Sequence, residues 1–157
     1  MEGDSAAALL RQMLTIGFPA EHSLRSLNSI LTLRGKGGAV TMDLAEVDMS
    51  SGTAVLYKWG AAPSYLLKKS GAEKIGTATP PPGLSVEGAR EFSVRLSLRR
   101  GEVLILLSDG AEAGETLSRM EHVQDAQPGE LAQSVLDGCS KGEDDATVAV
   151  LRLQKLR

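Results

Sequence analysis

Val103-Leu104-Ile105-Leu106-Leu107-Ser108-Asp109-Gly110 is the stretch from which the rest of the chain is best read. An unbroken apolar run closed by Ser-Asp-Gly reads as a buried strand that ends in a tight turn. A carboxylate delivered at the end of such a strand is placed to hold a cation, which makes Asp109 a candidate ligand. Its expected partner lies downstream, where Gly142-Glu143-Asp144-Asp145-Ala146-Thr147 leads into a second apolar strand, Val148-Ala149-Val150-Leu151. Two acidic loops at neighbouring ends of one sheet would form a divalent-cation site, and through it support phosphate chemistry.

Working back from Val103, Arg99-Arg100-Gly101 reads as a turn, and Phe92, Val94, Leu96 and Leu98 alternate with polar residues as a half-buried strand. Pro80-Pro81-Pro82-Gly83 lacks backbone donors at its prolines and must be a loop or a sheet edge. Short strands are expected over Ala54 to Trp59, Ser64 to Leu67 and Glu73 to Ile75, giving an antiparallel meander punctuated by Gly60-Ala61-Ala62-Pro63 and Ser70-Gly71. A strand from about Val40 to Met49 precedes them, with Ser50-Ser51-Gly52 as its turn. The N-terminal region has helical spacing instead. Asp4 or Ser5 is the expected cap of a helix running to Leu14, with Gly17 as its stop, and Pro19 opens a second helix that ends near Gly35.

Downstream of Gly110, Ala111 to Arg119 contains helix formers, and Asp125 to Pro128 opens a last helix, Gly129 to Cys139, with Leu131, Val135 and Leu136 on one face. A strand over Ala146 to Leu153 closes the chain. Helices grouped apart from antiparallel strands predict an α+β layering without the alternation that builds a parallel sheet.

Composition narrows the function. A chain of 157 residues with 42% hydrophobic content suits one domain with a single core. Its longest apolar runs are about five residues, against the roughly 20 needed to span a bilayer, and no signal-peptide core is present. This predicts a soluble, unsecreted chain with no membrane segment. A net charge of −3 with both signs interspersed and 3% aromatics argue against nucleic-acid binding. The single cysteine, Cys139, reads as a small buried hydrophobe.

The acidic loops have a plainer explanation too: Ser-Asp-Gly after a strand is ordinary turn chemistry, and Asp144-Asp145 could be a solvated turn. Adjacent carboxylates repel, however, and so favour a cation beside them. Other chemistries lack their parts. His22 and His122 have no metal-ligand spacing, Ser108 has no neighbouring base or nucleophile elbow, and Lys36-Gly37-Gly38 lacks the spacing of a phosphate-binding loop.

Taken in order, these residues resemble a family: the metal-dependent serine/threonine phosphatases of the type 2C class, and within it the phosphatase domains of bacterial sporulation stage II protein E. Asn28-Ser29-Ile30-Leu31-Thr32-Leu33-Arg34 looks like the end of that family's second helix, and Thr41-Met42-Asp43-Leu44 like the following strand. Gly60-Ala61-Ala62-Pro63-Ser64 looks like its strand-to-strand turn, and Ser108-Asp109-Gly110 with Asp144-Asp145-Ala146-Thr147 like its later two metal-binding motifs. The resemblance covers nearly the whole chain.

It implies an α+β fold, an antiparallel β-sandwich flanked by helices, as one type 2C phosphatase-like domain over residues 1–157. It also implies a two-manganese centre, with Mg2+ as the alternative to Mn2+, and hydrolysis of a phosphoserine on an anti-anti-sigma factor that then frees a sporulation sigma factor. Carried over by position, Asp109 and Asp144 are expected metal ligands, with Gly110 and Asp145 adjacent to the metal. Helices Ser5 to Leu14 and Glu21 to Arg34 match a regulatory element that in relatives couples assembly of the metal site to activation and dimerisation. The expected setting is cytoplasmic, including as the cytosolic domain of a larger membrane protein, with a homodimer among the expected assemblies.

One departure bears on activity. The family has an earlier metal-binding aspartate and an Asp-Gly-Met-Gly-like turn upstream of the helix that here begins near Ser5, and by this resemblance Met1-Glu2-Gly3 is expected to start just past them. Glu2 and Asp4 are poorly placed to substitute. The expectation is therefore a fragment, or a natural pseudophosphatase, that binds metal weakly and turns over little by itself. The competing class is a non-catalytic docking or dimerisation module of the same fold, and a third reading is a small α+β domain whose acidic loops are only turns.

Overall fold

The computed structural model describes residues 2–34, 40–76, 81, 83, 92–111, 117, 126–139 and 145–153. Its elements, in chain order, are α1 (Glu2–Thr15), α2 (Ala20–Arg34), β1 (Met42–Val47), β2 (Thr53–Trp59), β3 (Ser64–Lys68), β4 (Gly71–Ile75), β5 (Phe92–Ser97), β6 (Val103–Leu107), α3 (Pro128–Cys139) and β7 (Val148–Arg152). Strands β1, β2 and β5 form a sheet in the order β1-β2-β5, and a second sheet has the order β4-β3-β6-β7. The described residues thus show the expected α+β composition. The expected meander from β2 through β4 is corrected: it breaks between β2 and β3, which enter different sheets. Gly60, at φ +65°, and Pro63, which has no N–H to give a ladder, take the chain out of the first sheet at that point.

The described residues gather into two compact units. One holds α1, α2, most of β1 and the end of β2. Its core is Ala6, Leu10, Leu24, Leu27 and Trp59, with Leu14, Leu31 and Met42 packed against it. Ala6 and Leu10 lie one turn apart on α1, as do Leu24 and Leu27 on α2, so each helix turns one stripe inward. α1 starts at Glu2, earlier than expected, so Asp4 and Ser5 fall in its first turn instead of capping it. Its other end is as read. Gly17, at φ +92°, donates to the Leu14 carbonyl and Phe18 donates to the Met13 carbonyl, the paired bonds of a Schellman stop. α2 takes Pro19 as its entry, the Ser23 N–H donating to the Pro19 carbonyl at 2.9 Å. In the proline loop, Pro81 and Gly83 are described. The Gly83 N–H donates to Asn28 Oδ1 at 2.8 Å, which ties that loop to α2.

The other unit is built on β4-β3-β6-β7, whose three pairings are all antiparallel. β6 is an interior strand, which is why its sequence is apolar at every position: Val103, Leu104 and Ile105 are fully buried. Alternate residues Val103, Ile105 and Leu107 share a cluster with Leu131, Val135 and Cys139 of α3. The helical residues are spaced four apart and form one face. Each buried Leu or Val there contributes about 1.5–3 kcal/mol. Leu136 is only half-buried, at the margin of the face predicted for it. α3 begins as its sequence indicates, with Pro128 at the first helical position and Glu130 Oε2 accepting the Gln127 N–H at 3.2 Å. β4 starts at Gly71, two residues ahead of the expected Glu73, because Gly71 already pairs with Lys68. The helix formers between Ala111 and Arg119 fall outside the described residues, apart from Ala111 and a buried Leu117.

Candidate metal centre

β6 and β7 are neighbours in register from Val103↔Arg152 to Leu107↔Val148. The end of β6 and the start of β7 therefore emerge side by side, bringing Ser108-Asp109-Gly110 against Asp145-Ala146-Thr147. The contact is close. The Ser108 N–H donates to the Thr147 carbonyl at 3.0 Å, and the Thr147 N–H donates to Ser108 Oγ at 2.8 Å. A Cβ built on Gly110 would lie 2.3 Å from the Asp145 carbonyl oxygen, so the loops touch backbone to backbone at a position where only glycine fits. The side chains of Asp109 and Asp145 are exposed at this end of the sheet.

The juxtaposition predicted for the two acidic loops is thus present in the part that is described. Asp109, Gly110 and Asp145 are placed together, whereas Asp144, the second predicted ligand, lies outside the described residues. Carboxylate oxygens are the hard donors that Mn2+ and Mg2+ prefer, so the donor chemistry of this end fits a divalent cation. Among the described residues no three His, Cys, Asp or Glu side chains gather into a metal-holding group. His22 is an exposed residue of α2, and Cys139 is buried in the α3 face, as expected.

Two features escaped the sequence reading. The first is the Ser108 hydroxyl, which is part of the tie between the acidic loops. The other is a buried ion pair: Lys58 Nζ lies 2.6 Å from Asp43 Oδ1, with the two side chains 1% and 11% exposed. The parity of β2 carries the signal for it, since Ala54, Leu56 and Lys58 are alternate residues and all three are buried. A lysine on the inward face of a strand requires a carboxylate partner.

Comparison with known proteins gives a consistent set of relatives. Residues 4–154 match the family model described as Stage II sporulation protein E (SpoIIE). The Stage II sporulation protein E of Priestia megaterium is 27% identical over 98% of this chain. Among solved structures, the PP2C phosphatase domain with a fragment of the regulatory domain of SpoIIE from Bacillus subtilis is 25% identical and covers 95% of this chain and 48% of its own, with a TM-score of 0.80. The Mn-presoaked phosphatase domain of the same Bacillus subtilis protein is also 25% identical, covering 96% of this chain and 73% of its own, with a TM-score of 0.66. The chain spans 28% and 20% of the lengths of the curated relatives it matches.

Proposed function

The chain belongs to the Stage II sporulation protein E (SpoIIE) family, and on that premise we propose that it is a PP2C-type, manganese-dependent phosphoserine protein phosphatase domain acting on a phosphorylated anti-anti-sigma factor in sporulation control. The proposal treats residues 1–157 as one type 2C phosphatase-like domain, with Asp109 and Asp144 as metal ligands and Gly110 and Asp145 beside the metal. The observation that carries it is the backbone contact of Ser108-Asp109-Gly110 with Asp145-Ala146-Thr147 at adjoining strand ends.

The divalent cations, when bound, would activate water and neutralise charge on the phosphoryl group. The chain's own residues act around them. The antiparallel β6–β7 pair fixes the separation of the two acidic loops, and Gly110 allows their backbones to meet. Asp109 presents its carboxylate to solvent, where a phosphoprotein can reach it. We place the domain in the cytoplasm, with Mn2+ or Mg2+ as the metal; no helix among the described residues is long and apolar enough to cross a membrane.

The test is manganese-dependent release of phosphate from a phosphoserine anti-anti-sigma protein, with Asp109→Ala as control, in this chain and in one extended to its relatives' full phosphatase domain. Turnover that Asp109→Ala abolishes supports the proposal, and turnover it leaves unchanged contradicts it. A second reading is a docking or dimerisation module of the same fold. Metal-independent binding of the unphosphorylated partner, without turnover in either chain, would favour it.

A further inference from the structure

We propose that Ser108 is a positioning residue whose hydroxyl stands in for a backbone carbonyl, allowing the end of β6 to turn Asp109 out of the sheet while the two acidic loops stay tied together. The inference rests on the phosphatase reading, and deepens it.

In an antiparallel ladder, a hydrogen-bonded pair of residues exchanges two backbone bonds. Ser108 and Thr147 stand one step beyond the last registered pair, Leu107↔Val148, and make the first of those bonds, Ser108 N–H to Thr147 carbonyl at 3.0 Å. The second would run from the Thr147 N–H to the Ser108 carbonyl. That carbonyl is instead turned into the loop, where it accepts the Ala111 N–H at 3.1 Å and closes the turn that carries Asp109 and Gly110. The Thr147 N–H goes to Ser108 Oγ, at 2.8 Å.

One residue therefore serves both geometries. Its carbonyl shapes the Asp109 turn, and its hydroxyl holds the strand that follows Asp144 and Asp145. An alanine here would leave the Thr147 donor without its acceptor, at a place where the pairing of the loops has no further registered ladder to hold it. A valine would do the same at nearly the volume of threonine, whereas threonine keeps the oxygen. Side chains that orient metal ligands typically change metal affinity about tenfold to a hundredfold when removed.

The experiment compares wild type, Ser108→Ala, Ser108→Val, Ser108→Thr and Asp109→Ala by amide hydrogen exchange of Thr147 without metal and by calorimetric titration with Mn2+. Thr147 exchange is expected to rise on the order of fivefold to tenfold in Ser108→Ala and Ser108→Val. Manganese affinity is expected to fall about tenfold or more in both. Ser108→Thr should restore both readouts. Unchanged Thr147 exchange, or faster exchange with manganese affinity intact, overturns the positioning role while leaving the phosphatase reading in place. Absence of manganese binding in wild type and Asp109→Ala alike, in this chain and in the chain extended to its relatives' phosphatase domain, overturns both, because no metal loop would then exist to be positioned.

Discussion

The backbone of Gly110 lies so close to Asp145 that a Cβ at position 110 would stand 2.3 Å from the Asp145 carbonyl oxygen and 2.8 Å from its carbon. Both atoms belong to the backbone, so no rotamer change relieves the clash. The acidic loops must separate if anything larger than hydrogen occupies this site.

Gly110→Ala should therefore both weaken the fold and open the candidate metal centre. Forced overpacking of this kind costs about 1–3 kcal/mol. Urea unfolding should show the loss, and Mn2+ titration of the folded variant should show weaker binding than wild type. A variant equal to wild type in both would mean that the two loops do not meet as described.

The Asp43–Lys58 pair makes the second prediction. Removing one partner of a buried ion pair typically costs about 3–5 kcal/mol, because the other charge stays behind without it. Asp43→Ala should destabilise the protein by that order in chemical denaturation. Replacing both, as Asp43→Leu with Lys58→Met, should recover most of the loss, since well-packed apolar replacements of buried pairs are often neutral. A double variant as unstable as Asp43→Ala would show that the pair is not the source of the effect.

Why some of this could be read from the sequence and some could not follows from the range of each interaction. β6 and α3 were legible because their signals are local: an apolar run ended by Ser108-Asp109-Gly110, and Leu131, Val135 and Cys139 spaced by four after Pro128. The meeting of the Asp109 and Asp145 loops was legible only through the pairing of two apolar strands. The tie that holds them was not, because Ser108 and Thr147 are 39 residues apart and a serine hydroxyl has no sequence signal for a distant N–H. Lysine in a strand is normally solvent-facing, which hides the signal of Lys58, although its parity with Leu56 places it inward. Asp4 and Ser5 both favour helix starts and so mimic caps in the sequence, but the helix runs back to Glu2.

The β1–β2 turn gives a pH prediction. Asp48 accepts hydrogen bonds from the Ser50 hydroxyl at 2.6 Å and the Ser51 hydroxyl at 2.7 Å, and from the Ser50 N–H at 2.8 Å. The Ser50 hydroxyl, followed by that of Ser51, holds the Asp48 carboxyl far below its ordinary value of 3.8. A depressed folded-state value means that the turn's contribution is fully present above the unfolded value and is lost as pH falls from there through the folded one. A carboxyl-carbon NMR titration should find Asp48 still ionised below pH 3.8 in wild type and its midpoint moved upward in Ser50→Ala/Ser51→Ala, where the Ser50 N–H bond remains. An identical titration in both proteins would contradict the hydrogen-bonded turn.

The most direct test of a shared cation site at the ends of β6 and β7 is a titration of the isotope-labelled chain with paramagnetic Mn2+, following its broadening of backbone amide signals. A single site predicts that Ser108, Asp109 and Gly110 broaden together with Asp145, Ala146 and Thr147, and that Asp109→Ala abolishes the effect at both loops. Broadening of only one loop, of residues elsewhere, or of both loops undiminished in Asp109→Ala would contradict it.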